Sequence, residues 1–233
     1  MSETILVTGF EPFGGIVGNP TMDIVAALHG SRIDGRQIVG RIMPVVYDGH
    51  RDRLKSLVDE VDPAVVIGFG LDLDAEGIAI ETRAANRADF TLPDNAGALI
   101  KGVELDAGGP PYRLSTFPVT EICTALAMTQ IKARPSNDAG RYLCNATLFH
   151  MLALCAKKPL TPLCGFVHVP PSTEQLAAEQ DRRTEPARTM PLATMIQAAR
   201  LILRETSMAV RRDLAALRPA TWHADEPMQM ALR

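Results

Sequence analysis

The sequence lacks the features that mark membrane-spanning, secreted disulfide-rich and nucleic-acid-binding proteins. Its 24 lysines and arginines are balanced by 27 aspartates and glutamates, which leaves a formal net charge of −3. No basic stripe of the kind that contacts nucleic-acid phosphates runs along the chain, so we expect no nucleic-acid partner. No apolar run reaches the ~18 residues that suggest a membrane-spanning helix, so we expect no membrane partner.

Cysteine is also scarce, with four residues among 233. That number is too small for a disulfide scaffold in a chain of this length. The first residues, MSETILVTGF, have no basic segment followed by a long apolar stretch, as a signal peptide would. These absences favour a cytoplasmic protein with reduced thiols. The length suits one domain, which we place at residues 1–217, with residues 218–233 as a C-terminal tail.

Strand-like and helix-like segments alternate along the chain, which predicts an α/β fold with a largely parallel sheet. Residues 87–115 interrupt this alternation and are rich in glycine and proline, so we expect a loop containing a short hairpin. Strands are predicted at residues 4–8, 37–46, 64–69, 77–85 and 165–169, and helices from residue 19, at 47–60, at 118–131, from about 144 and at 191–214.

Cys144 is a candidate nucleophile because it follows a glycine-containing turn and opens a predicted helix. Unpaired N–H groups at a helix start favour a thiolate and can hold an oxyanion. An ordinary thiol with a pKa of ~8.5 is only about 3% ionised at pH 7, so a nucleophile there needs a histidine beside it. His168, at the end of a predicted strand, can supply that base. From the residues alone, a buried helix-start cysteine and a core histidine stay open as alternatives.

Three other residues carry weaker signals. Glu81 interrupts a strand pattern, where an acid is either solvated or paired. Phe10 and Phe13 lie among proline and glycine residues in the loop after the first strand. Their rings either line an apolar pocket or only pack the loop against the rest of the protein. This loop has neither the Gly-Lys-Ser/Thr of a phosphate-binding loop nor the spacing of a dinucleotide site.

A series of short motifs, in order over about residues 4 to 210, resembles the pyroglutamyl peptidase I family, the pyrrolidone-carboxylate peptidases. Each motif is modest alone, but the ordered set is specific. The motifs are Val7 to Gly15, Asn19-Pro20, Glu81 with Asn86, Pro93-Asp94-Asn95 with Gly97, Gly109-Pro110 with Tyr112, Ser115 to Pro118, Ala139 to Asn145, and Gly165 to Pro170.

The resemblance implies a three-layer α/β/α sandwich with a mostly parallel, mixed central sheet. It implies a catalytic triad in which Cys144 attacks, His168 moves the proton and Glu81 orients the imidazole. The reaction would remove N-terminal pyroglutamate from peptides through a thioester, with no metal or cofactor. Its partners would be pyroglutamylated peptides and further copies of the chain, as a dimer or tetramer. The implied substrate-binding residues are Phe10, Phe13, Gly70, Leu71 and Tyr142.

The sequence departs from the family pattern near the expected pocket. Members usually carry Gly-Gln-Ala-Gly-Gly-Arg after the third strand, where this chain has Gly70 to Ala75, including Leu71, Asp72 and Asp74. An arginine usual ten residues after the glutamate is Thr91 here, for which Arg83 or Arg87 is a candidate substitute. Two alternatives therefore remain: a related cysteine amidase with altered acyl specificity, and a non-catalytic binding protein of the same fold.

Overall fold

The computed structural model of the protein describes residues 2–175 and 189–216. The predicted tail at 218–233 lies outside the described residues, and the 1–217 boundary of a single domain stays a prediction. The strands are β1 Thr4–Phe10, β2 Arg32–Ile33, β3 Arg36–Met43, β4 Val65–Leu71, β5 Ile78–Glu81, β6 Arg83–Ala85, β7 Tyr112–Leu114, β8 Ala133–Ser136 and β9 Leu163–Val169. The helices are α1 Pro20–Leu28, α2 His50–Val61, α3 Val119–Met128, α4 Leu143–Cys155 and α5 Leu192–Ala216.

The described residues form a seven-stranded central sheet in the order β2-β3-β1-β4-β9-β5-β8. Its pairs are parallel except β2 with β3 and β5 with β9, which are antiparallel. Helices α1, α3 and α5 cover one face, and α2 and α4 cover the other. The predicted α/β/α sandwich with a mostly parallel, mixed sheet is therefore confirmed.

Alternation along the strands divides the buried side chains between two cores, because successive residues of a strand point to opposite faces. On β9, Val167 and Val169 join the core under α1, α3 and α5, whereas Cys164 and Phe166 join the core under α2 and α4. His168 is two residues beyond Phe166 and shares its face. The α4 side of the sheet therefore carries the histidine.

Two strands were not predicted from the sequence, and one predicted strand is divided into two. β2 is only two residues long, and β8 contains Arg134 and Pro135 and shows no alternating apolar pattern. Proline is tolerated in β8 because this strand lies at the edge of the sheet. The predicted strand at 77–85 ends at Glu81, after which the chain turns into β6, and β6 pairs with β7 as a separate two-stranded sheet. β7 lies in the stretch 87–115, where a short hairpin was predicted, but its partner β6 precedes that stretch, so this pair is not the predicted hairpin.

Asn145 ties the divided strand to α4. Its side chain is fully buried, and its carboxamide oxygen accepts the Ala85 N–H at 2.8 Å. Its amide nitrogen donates to the carbonyl oxygens of Ala85 and Arg87, both at 2.9 Å. The first turn of α4 is thus fixed against β6 and the residues directly after it by three hydrogen bonds from a single side chain.

Candidate active site

Cys144 occupies the first turn of α4, where the fold leaves backbone N–H groups free. Gly140 turns the chain with a φ of 75°, and Tyr142 is extended and caps the helix without a side-chain hydrogen bond. The first N–H groups of a helix have no intrahelical acceptor, so they remain available beside the half-buried Cys144 thiol. This end of α4 can therefore stabilise negative charge on sulfur or on an oxygen nearby.

His168 and Glu81 meet across the antiparallel pair of β9 and β5. Glu81 is paired with Phe166, so it lies diagonally opposite His168, within reach of a long side chain. Its Oε1 lies 2.8 Å from Nδ1 of the imidazole. Glu81 is 1% exposed and His168 is 7% exposed, so both side chains are buried. With Nδ1 engaged by Glu81, Nε2 is the nitrogen left for another partner.

Cys144 lies beside the imidazole at the wall of the same cavity and affects the pKa of His168. Burial alone lowers the pKa of His168, but the negative charge of Cys144 and hydrogen bonds from Cys144 and Glu81 outweigh it and raise the pKa to about 10. The ring is therefore an imidazolium at neutral pH when it faces the thiolate. The structure thus brings the three residues of the predicted triad together, with Glu81 hydrogen-bonded to the imidazole.

Gly70 leaves space for the Cys144 sulfur because it has no side chain. It is paired with His168 on the adjacent parallel strand. A Cβ atom at this position would lie 2.7 Å from the Cys144 sulfur and within 2.9 Å of the Phe166 ring. Gly70, which the family resemblance placed among the substrate-binding residues, thus lies against the sulfur, and it is absent from the described lining of the neighbouring cavity.

Gly70→Ala is expected to lower kcat/KM at least tenfold, because overpacking a buried site typically costs about 1–3 kcal/mol and here the displaced atom is the sulfur. Hydrolysis of a pyroglutamyl reporter amide measures the loss. Gly40→Ala is the matched control: it also places a Cβ in a strand of the same sheet, 2.8 Å from the Val25 side chain. The control should lose stability and keep its activity at a temperature where it is folded. Equal activity losses in both variants would contradict this account.

A cavity of about 330 Å³ opens beside the sulfur and the imidazole. The predicted substrate-binding residues Phe10, Phe13, Leu71 and Tyr142 line it. Tyr142 is held by Phe13 and Phe90, at ring-centroid distances of 5.9 and 4.4 Å, and donates to the Pro93 carbonyl at 3.2 Å. The cavity is largely apolar, and its volume falls at the lower end of the about 300–1,000 Å³ usual for small-ligand sites.

Several lining residues were not singled out from the sequence as binding residues. They are Asn19, Val45, Asp72, Leu73, Leu92, Asp138, Ala139, Gly140 and Leu143. They come from separate segments of the chain, and they share no motif or regular spacing that would have identified them together. The sequence offers a signal for Asp72, because this residue departs from the family pattern near the expected pocket.

The predicted substitutes for the missing arginine are engaged elsewhere. Arg83 donates from Nε to the Asn137 carbonyl at 2.7 Å and lies over the Tyr112 ring at 4.4 Å. Arg87 pairs with Asp89 at 3.0 Å. Neither is among the described residues that line the cavity, and neither is Thr91, which is exposed. No lysine or arginine is among the described residues that line the cavity.

In 2–175 and 189–216, no three histidine, cysteine, aspartate or glutamate side chains gather in a way that would hold a metal ion. None of the helices described combines the length and the apolar character needed to cross a bilayer.

Comparison with known proteins agrees with this arrangement of residues. The family model described as pyroglutamyl peptidase matches residues 3–209. The chain belongs to the pyroglutamyl peptidase family. A pyrrolidone-carboxylate peptidase of Pyrococcus furiosus is 39% identical over 172 residues, covering 74% of this chain and 83% of the relative. Another, from Bacillus cytotoxicus, is 30% identical over 212 residues, covering 91% and 96%.

The fold of the pyroglutamyl peptidase family is also reproduced. An X-ray structure of pyrrolidone carboxyl peptidase from Pyrococcus furiosus superposes with a TM-score of 0.85 at 33% identity, and the match covers 89% of this chain and 99% of that one. Relatives of this family are cysteine-type peptidases, so this chain is a peptidase of the same type with peptide substrates. The motifs had predicted this family correctly.

Proposed function

We propose that the protein removes N-terminal pyroglutamate from peptides, using Cys144 as nucleophile, His168 as acid and base, and Glu81 as the group that orients the imidazole. The observation that carries this proposal is the 2.8 Å contact between Glu81 and Nδ1, which leaves the other ring nitrogen for the cysteine at the start of α4. Membership in the pyroglutamyl peptidase family supplies the substrate.

In the first half of the reaction, the Cys144 thiolate attacks the carbonyl carbon that joins the pyroglutamyl residue to the rest of the peptide. The carbonyl oxygen becomes an oxyanion, which the free N–H groups at the start of α4 are suited to stabilise. His168 then gives its Nε2 proton to the departing amine as the C–N bond breaks. The products are the shortened peptide and a pyroglutamyl thioester on Cys144.

In the second half, neutral His168 takes a proton from a water molecule that attacks the thioester carbonyl. The C–S bond breaks, pyroglutamate leaves, and the thiolate–imidazolium pair is restored. Glu81 keeps Nδ1 protonated throughout, so that Nε2 alone exchanges protons with substrate and water. The aromatic walls of the cavity, at Phe10, Phe13 and Tyr142, suit a small uncharged ring.

The test is hydrolysis of a panel of reporter amides. The panel contains pyroglutamyl, prolyl, glutamyl, glutaminyl and acetyl-alanyl derivatives of one fluorogenic amine. The proposal expects the pyroglutamyl amide to be cleaved with a kcat/KM far above the others. A folded protein that cleaves none of them would refute it.

The related cysteine amidase with another acyl specificity remains as the second candidate. The observation that favours it is the cavity wall formed by Leu71, Asp72 and Leu73, where the sequence departs from the family pattern. The same panel separates the two candidates, because an amidase of altered specificity would prefer another acyl group. The contact between Glu81 and His168 beside Cys144 at the cavity wall speaks against the third alternative, a non-catalytic binding protein.

The charge of the cavity predicts a preference among peptides. No lysine or arginine is among its described lining residues, whereas Asp72 and Asp138 are. Asp138 is neutralised by Arg141, while the one hydrogen bond described for the Asp72 side chain is its acceptance of the Asp74 N–H at 3.0 Å. Asp72 is therefore the uncompensated negative charge near the site.

We expect peptides with lysine after pyroglutamate to be cleaved about three- to fivefold better than peptides with glutamate there, because a partly exposed charge pair contributes up to ~1 kcal/mol. The measurement is the ratio of the two kcat/KM values at low salt. Asp72→Asn should bring the ratio towards one, as should high salt. Asp74→Asn, which removes a neighbouring carboxylate outside the described lining, should leave it unchanged. If Asp72→Asn had the same ratio of kcat/KM values as the wild type, this assignment would be wrong.

We further propose that the protein works in the cytoplasm as a homo-oligomer, either a dimer or a tetramer. All four cysteines are free, which suits a reducing compartment. The edge strand β7 exposes Tyr112 and Leu114, the latter at 72%, and a neighbouring copy of the chain could cover them. Light scattering of the purified protein determines the assembly, and a monomer at micromolar concentration would rule it out.

A further inference from the structure

His50, a buried residue that the proposed reaction does not use, hydrogen-bonds to the nucleophile's helix. It opens α2, is 2% exposed, and lies 2.7 Å through Nε2 from the Thr147 hydroxyl on α4. Its ring stacks on Phe10, which lines the cavity, at a centroid distance of 6.3 Å. His50 therefore contacts both the cavity wall and the helix that carries Cys144.

The direction of the hydrogen bonds follows from the atoms present. Thr147 Oγ1 lies 2.7 Å from the Leu143 carbonyl oxygen, which can only accept, so the hydroxyl proton points there. The hydroxyl oxygen must then accept the Nε2–H of His50. Burial, with His150 and Arg53 nearby, lowers the pKa of His50 to about 3, so the ring is neutral and this is its only N–H. Its Nδ1 is buried without a partner among the described residues.

The Leu143 carbonyl is part of the peptide unit that contains the Cys144 N–H. Because a peptide unit is planar, fixing the direction of the carbonyl also fixes the direction of the N–H. A hydrogen bond accepted by the carbonyl also polarises the unit and makes its N–H a stronger donor. The chain from His50 through Thr147 to Leu143 thus ends on one of the N–H groups at the start of α4.

We propose that His50 and Thr147 are positioning residues, which aim the Cys144 backbone N–H at the oxyanion that forms when the pyroglutamyl carbonyl is attacked. This inference rests on the proposed function. The oxyanion exists only after attack, so the interaction belongs to the transition state and acts on kcat rather than on KM.

The test compares three variants of the intact protein in pyroglutamyl amide hydrolysis. Thr147→Val keeps the side-chain shape and removes the hydroxyl, and Thr147→Ser restores it. Removing an oxyanion donor outright costs about 10²–10³ in kcat, so misaligning one is expected to cost about tenfold in Thr147→Val, with KM changed less than twofold. Thr147→Ser should regain most of the lost kcat.

Thr206→Val is the matched control. Thr206 is also fully buried in a helix, and its hydroxyl donates to the Ile202 carbonyl at 2.8 Å, as Thr147 does to Leu143. It lies on α5, on the opposite face of the sheet from Cys144. The control reproduces the loss of a buried threonine hydroxyl, and we expect its kcat to equal that of the wild type.

Alkylation of Cys144 by iodoacetamide separates positioning from general damage. This displacement at carbon forms no oxyanion, so its rate should be the same in Thr147→Val and in the wild type. A kcat unchanged in Thr147→Val would overturn the inference, and so would equal losses in kcat and alkylation rate. If the wild type releases no pyroglutamate, the proposed function fails instead.

A second pair of variants covers the case in which Thr147→Val does not fold. His50→Gln keeps a side-chain N–H that can reach Thr147, whereas His50→Leu removes it. Both lose the stack on Phe10, so both are expected to raise KM. The inference requires a kcat severalfold lower in His50→Leu than in His50→Gln, and equal kcat values would overturn it.

Discussion

Cys144→Ala is expected to abolish hydrolysis of a pyroglutamyl reporter amide, lowering kcat by at least about 10⁴-fold, because removing a nucleophile leaves only the residual catalysis of binding and of the oxyanion donors. The protein should still fold, since the half-buried sulfur is at the wall of a cavity rather than in a packed core. Stopped and continuous assays on wild type and variant, at equal protein concentration, measure the difference.

Cys123→Ala is the control for this prediction. Cys123 is also a free, partly buried helix cysteine, but it lies on α3, on the other face of the sheet, and burial raises the pKa of its thiol. A thiol of that kind reacts slowly at neutral pH. The variant should keep wild-type activity and wild-type inactivation by iodoacetamide. Retained activity in Cys144→Ala would show that another group attacks the substrate.

The order of strands and helices was largely predictable, because buried parallel strands such as β1 and β4 have continuous apolar runs that stand out in a sequence. β8 did not stand out, because an edge strand need not be apolar on both faces and tolerates Pro135. The end of β5 at Glu81 was also missed, because alternation continues through residues 82–85 while the chain leaves the sheet to form β6.

For the site, the motifs named Cys144, His168 and Glu81, but their contacts depend on register. The side chain of Glu81 reaches His168 because the antiparallel pairing of β5 and β9 places it opposite Phe166. A shift of one residue would turn it to the other face. Neither this pairing nor the approach of Gly70 to the sulfur can be read from spacing, since both join residues far apart in the chain. His50 was missed for the same reason.

Glu81→Gln carries the second large expected effect. The carboxylate stabilises the charged imidazole by a 2.8 Å hydrogen bond and by its negative charge, and a neutral amide supplies no such charge. When the corresponding carboxylate of a serine protease triad is made an amide, kcat falls about 10⁴-fold because the imidazole takes the wrong tautomer. We expect a loss of about 10³-fold or more here, with a smaller change in KM.

The dependence on pH distinguishes loss of the carboxylate from a loss of packing. His168 must be protonated to release the leaving amine, and its pKa of about 10 exceeds the ordinary value of 6.5. Activity of the wild type should therefore persist through neutral pH and fall as the pH rises through about 10. Without the Glu81 charge, the pKa of His168 falls, so the alkaline limb of the kcat/KM profile should move to lower pH in Glu81→Gln.

Glu60→Gln is the control for that profile, because Glu60 is an exposed carboxylate paired with Arg41 at 3.2 Å on the surface. Removing its charge should leave both the rate and the alkaline limb in place. An alkaline limb that stays at the same pH in Glu81→Gln, despite a lower rate, would mean that Glu81 only packs against the ring. The expected shift instead requires that its charge holds the proton on His168 until the amine departs.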